Sequence, residues 1–74
     1  MALRIILPGR LVKKSEVYLI AALKDFGAEH IADNKWRYKQ MPLTCEQFVR
    51  ELKAFLPETE RAVADWLEVT IFHS

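Results

Sequence analysis

Histidine, cysteine and the clustered cations are the side chains of this chain with the chemistry to act on a substrate or hold a partner. The chain has two histidines, His30 and His73, and histidine is the usual acid–base group near neutral pH. Neither sits in a recognisable Ser-His-Asp or Cys-His spacing. His30 near Asp33 reads as a polar pair on an edge strand, and His73, next to the last residue, as a solvated tail. Cys45 follows a helix-capping threonine, where the helix dipole can lower a thiol pKa. Its plainer role is a small apolar residue of the helix's first turn, and there is no second cysteine to resolve it. A lone cysteine excludes an internal disulfide and a multi-cysteine zinc site, and it fits a reducing cytosol.

The run Lys35-Trp36-Arg37-Tyr38-Lys39 is the most suggestive feature, because it alternates cation and aromatic. Sheet aromatics flanked by cations can stack on bases and meet phosphates. Arg10, Lys13 and Lys14 could extend such a patch. The competing reading is a pair of core aromatics with solvated lysines. Glu58, Glu60, Asp65 and Glu68 balance the charge, and no RNA-binding sheet motif or phosphate-binding glycine loop is present. Gly9 and Gly27 each have a turn or a helix end to explain them.

The elements that must carry these groups follow from periodicity. Residues 3–7, Leu-Arg-Ile-Ile-Leu, predict a short strand that ends at Pro8-Gly9. Leu19, Ile20, Leu23 and Phe26 recur at helical spacing, which predicts a helix over 16–26 with Ser15 as its cap and Gly27 as its stop. Residues 29–32 and 35–39 predict a hairpin turning at Asp33-Asn34 and closed by Pro42. Thr44 with Gln47 forms a capping box for a second helix. Its buried stripe is expected to hold Phe48, Leu52 and Phe55, with Cys45, Val49 and Leu56. Pro57 to Arg61 suit a short further helical turn. Residues 66–72 alternate and predict the last strand.

The resulting order, β-α-β-β-α-β, is that of an α+β, ferredoxin-like domain: an antiparallel sheet with two helices on one face. Right-handed crossovers place the first and last strands side by side or nearly so. The other sheet face is then open and carries Arg4, Ile6, Thr70 and Phe72 beside Glu68. The facing of residues 35–39 is open on spacing alone, since a one-residue slip flips every side chain. Aromatics inward is favoured, because burying them contributes most to a small core.

The chain has 74 residues and one domain's worth of sequence. It is 51% hydrophobic and 28% charged with net charge +1, which argues against disorder, a strongly basic nucleic-acid tail and an acidic DNA mimic. No stretch approaches the about 20 apolar residues of a membrane span. The apolar part of the opening MALRIILPGR is too short for a secretory signal, so a cytoplasmic location is expected. A domain this small is marginal alone, and pairing with a second copy is the most available further burial. A homodimer is therefore expected, with Arg4, Ile6, Thr70 and Phe72 as its interface.

The segment Ala22-Leu23-Lys24-Asp25-Phe26-Gly27-Ala28, followed by Ile31, Asp33, Asn34 and Trp36, resembles a group of small ferredoxin-like proteins. These are the CRISPR adaptation endonuclease subunit, the VapD-like ribonucleases and the GhoS-type antitoxins. Thr44 to Leu52 resembles their second helix, and the likeness spans about residues 15–72. It implies the same fold and a link to RNA or to defence systems. The group's nucleases place an Asp at the end of the first strand to hold a metal ion. Leu7-Pro8-Gly9-Arg10 stands there instead, and the first acid is Glu16. A hard cation needs carboxylate oxygens, so a metal-dependent nuclease of that kind is not expected.

Three functions follow. The favoured one is a non-enzymatic regulatory or interaction protein with a protein partner, of antitoxin or phage- or plasmid-encoded defence-inhibitor (anti-CRISPR-like) type. The second is a metal-independent endoribonuclease using His30, Arg37 and Lys39. The third is a non-catalytic RNA or DNA binder using Arg10, Lys13, Lys14, Lys35, Arg37 and Lys39. No cofactor or metal is implied.

Overall fold

A computed structural model describes residues 2–39 and 44–72. The elements are β1 (Ala2–Ile6), α1 (Lys13–Phe26), β2 (Glu29–Ala32), β3 (Lys35–Tyr38), α2 (Cys45–Leu52) and β4 (Glu68–Phe72). A short 3₁₀ turn, Lys53–Phe55, and a longer 3₁₀ segment, Glu58–Trp66, join α2 to β4. The sheet order is β2-β3-β1-β4, with every neighbouring pair antiparallel. This is the expected ferredoxin-like α+β arrangement, with β1 and β4 side by side. Pro42, His73 and Ser74 lie outside the described residues.

The register decides which residues share a face. Leu3 lies opposite Tyr38 and Ile71, and Ile5 opposite Trp36 and Val69. Leu3, Ile5, Trp36 and Tyr38 are buried against Leu19, Leu23, Phe48, Leu52 and Leu56 from the helical layer. Trp36 is 2% exposed and Tyr38 9%, so the aromatics of β3 face inward. Around them Phe26 meets Tyr38 edge-on at 5.0 Å and Phe48 at 4.9 Å. Such pairs contribute roughly 0.5–1.5 kcal/mol each beyond their burial.

Local chemistry sets the element ends. Gly27 has φ 102° and closes α1, with its N–H donating to the last-turn carbonyls. Thr44 and Gln47 exchange the two capping-box hydrogen bonds at 3.0 and 3.1 Å. Asn34 Nδ2 donates to the Leu7 carbonyl at 3.0 Å, and Leu7 N–H donates to the Asn34 carbonyl at 2.9 Å. The Asp33–Asn34 turn is thus fastened to the end of β1.

Four expectations are corrected. Ser15 does not cap α1, which starts at Lys13 with Val12 at the cap position. Ser15 is instead buried, and its hydroxyl donates to Glu60 Oε1 at 2.6 Å. Phe55 leaves the α2 stripe because the chain tightens into the 3₁₀ turn at Lys53; it is 48% exposed and touches Phe26 edge-on. Trp66 ends the long 3₁₀ segment rather than starting β4, and it is 63% exposed. The segment after Pro57 runs nine residues, where a single turn was expected.

Candidate interaction surface

No helix among the described residues covers the face of the sheet opposite α1 and α2, here called the open face. Arg4 on β1 lies directly across from Arg37 on β3 and from Thr70 on β4. Glu29 on β2 extends the same row beyond Arg37. In the next row Ile6 lies between Lys35 and Glu68. Arg4, Lys35, Glu68 and Thr70 are exposed and Ile6 is half-buried. The centre of the face is therefore cationic, and its acids sit on the two outer strands. The backbone of Phe72 pairs with that of Ala2 at the far end of β1.

Arg37 is half-buried and tied to the neighbouring strand. Its Nη2 donates to Glu29 Oε1 at 2.5 Å, and its Nε is buried without a hydrogen-bond partner among the described residues. That bond to Arg37 holds the Glu29 carboxyl below its ordinary pKa, helped by the charges of Lys39 and Arg37. Both side chains remain partly solvated, so the pair positions the guanidinium more than it stabilises the fold.

The basic residues singled out in the sequence do not form one patch. Lys35 and Arg37 join Arg4 on the open face. Lys39 is exposed just past the end of β3, close enough to act on Glu29. Arg10, Lys13 and Lys14 are exposed, but they occupy the turn after β1 and the first turn of α1. Because Trp36 and Tyr38 are buried, the two aromatics of β3 offer these cations no stacking platform.

His30 lies opposite Trp36, away from the cations. It stacks on that ring at 4.7 Å, and its Nε2–H donates to the Asp33 carbonyl at 2.9 Å. The three groups of the ribonuclease reading therefore divide: His30 stands on the helix side of β2, and Arg37 on the open side of β3. Among the described residues no group of three or more His, Cys, Asp or Glu side chains could hold a metal ion.

A second feature was not expected from the sequence. A groove of about 430 Å³ runs beside β4 on the helix side, lined by Cys45 and Val49 of α2 and by Leu67 and Val69. The Lys53–Asp65 ion pair, at 2.9 Å, closes its rim with Arg50 and Glu46. Cys45 is half-buried here, which agrees with its reading as a small apolar residue. Ile71, beyond the groove on the same side of β4, is 45% exposed. The signal for this groove is topological. It needs the knowledge that β4 is an outer strand which α2 does not cover.

Comparison of the chain with family models, with curated proteins and with solved structures returns no match. No helix among the described residues is long and apolar enough to cross a membrane.

Proposed function

We propose that this chain is a non-catalytic regulatory binder that works as a homodimer and takes an acidic surface of another protein on its open sheet face. The observation that carries this reading is the row at the centre of that face, where Arg4 stands directly across from Arg37 with Lys35 in the next row. The row gathers three cations on the two central strands, and a surface of opposite charge is the complement that steers and orients a partner on such a face. A second copy packed face to face would bring this row against itself. The partner therefore takes Arg4, Ile6 and Thr70. A role as an antitoxin or as a phage- or plasmid-encoded defence inhibitor fits a small protein whose action is to occupy a partner. The separation of His30 from Arg37 supports the non-catalytic side of the reading.

A nucleic-acid phosphate is the other anion that suits the row. The inward aromatics favour protein over single-stranded RNA, since base stacking supplies much of the affinity for unpaired strands. The test is capture from host cytosol by the wild type and by the double variant Arg4→Glu, Lys35→Glu, alongside sedimentation with a mixed-sequence RNA at two salt concentrations. The expected result is a protein captured by the wild type and lost with the double variant. Equal capture by both would refute the open-face site. A salt-sensitive RNA complex would move the function to nucleic acid.

A further inference from the structure

β4 is an outer strand of the sheet, so one of its two edges is unused by the described residues. An unused edge is a template for another strand unless it is shortened, bulged or charged. β4 has little of this protection. It pairs five consecutive residues with β1 without a register shift, contains no proline, and carries one charge, Glu68. Its helix side also presents two unmet surfaces together: the exposed Ile71, and the groove beside Val69 lined by Val49 and Cys45.

We propose that two copies of this chain pair antiparallel along β4, about a two-fold axis at Thr70, to make one continuous eight-stranded sheet. This rests on the homodimeric reading above and names its surface. Thr70 is the middle residue of β4, so only an axis there pairs all five residues. That register sets Thr70 opposite Thr70, Glu68 opposite Phe72, and Val69 opposite Ile71 of the second copy. Val69 and Ile71 share the helix side, because they lie opposite Ile5 and Leu3 of β1. Ile71 of each copy then lies beside Val69 of the other, over its groove. One chain thus supplies both the knob and the recess, as a two-fold interface requires. The charges agree with this arrangement. The two Glu68 residues fall at opposite ends of the pair, roughly 14 Å apart along the strand at about 3.4 Å per residue, where salt largely screens them. The two open faces stay clear, side by side, for the partner.

The test is sedimentation velocity over a concentration series, with circular dichroism to confirm folding. Ile71→Lys should weaken dimerisation roughly 30-fold or more, as loss of a central interface anchor does. Ile31→Lys on β2 should leave dimerisation unchanged. Thr70→Cys in a Cys45→Ser background should give a disulfide-linked dimer on mild oxidation, since directly opposed strand residues lie within disulfide reach. A monomeric wild type at every concentration would overturn both the edge pairing and the homodimer. A dimer that tolerates Ile71→Lys and is not linked through Thr70→Cys would overturn the edge pairing alone.

Discussion

β2 and β4 close the same sheet on its two sides, and they close it differently. β2 has four residues, a shift in register between His30 and Ala32, and Glu29 bound across to Arg37. His30 folds back so that its ring lies on Trp36 and its Nε2 reaches Asp33. β4 has five residues in unbroken register and one charge, and a groove lies along its helix side. A short, bulged and charged strand resists pairing with another chain, while a regular and largely uncharged one invites it. The two outer strands, alike in topology, thus differ in how well they are protected from pairing. On the pairing proposed above, β2 would terminate the sheet, β4 would continue it into a second copy, and the open face between them would be left for a partner.

Changes at matched positions give the largest contrast. Ile31→Lys and Ile71→Lys alter exposed isoleucines on the two outer strands, 49% and 45% exposed. The first should leave the oligomeric state intact and the second should shift it to monomer, read by sedimentation. Equal effects would erase the distinction between the edges.

Next in size is the support for β4. The Ser15 hydroxyl ties α1 to the 3₁₀ segment that delivers the chain into β4. Ser15→Ala removes a part-buried hydrogen bond to a carboxylate and should cost about 2 kcal/mol, seen in urea unfolding. Asn34→Ala acts on the other side of the sheet, where it frees the Leu7 carbonyl from the turn between β2 and β3. It should cost about 1 kcal/mol and leave dimerisation unchanged, because β4 does not depend on that turn.

The overall order of elements was legible in the residues themselves. Gly27 and the Thr44–Gln47 box mark helix ends through backbone chemistry that neighbours cannot override. The alternation of residues 35–38 left the facing open, and the inward aromatics followed from burial, since the other facing would leave a tryptophan and a tyrosine out of a small core. Ser15, Phe55 and Trp66 were less legible for one shared reason. Each lies within three residues of an element's end, which periodicity places only loosely: α1 starts two residues before Ser15, and the backbone turns 3₁₀ before Phe55 and is 3₁₀ again from Glu58 through Trp66. Ser15 is engaged by Glu60, 45 residues away, a partner no local pattern contains. The candidate surface was half legible. Alternation put Lys35 and Arg37 on one face, but their company with Arg4 comes from the β1–β3 register. The groove needed the knowledge that β4 lies at the edge.

The smallest expected effect concerns the protected edge. Hydrogen bonding to Arg37, with the charges of Lys39 and Arg37, lowers the pKa of Glu29 below 4.5. A carboxyl lowered on folding adds stability that is present above its unfolded pKa and is lost as pH falls through its folded one. The β2–β3 pair should therefore loosen only in acid, and Arg37→Ala should raise the Glu29 titration, followed by side-chain carboxyl NMR. Since Glu29 is solvent-accessible, the change in global stability should be slight.

The most direct test of the contrast between the edges is amide hydrogen exchange over a range of protein concentrations. Antiparallel pairing along β4 predicts that the amides of residues 68–72 that point away from β1 gain protection as concentration rises, while those on the outer side of β2 stay unprotected throughout. Outward β4 amides that exchange at the same rate at every concentration would contradict the account.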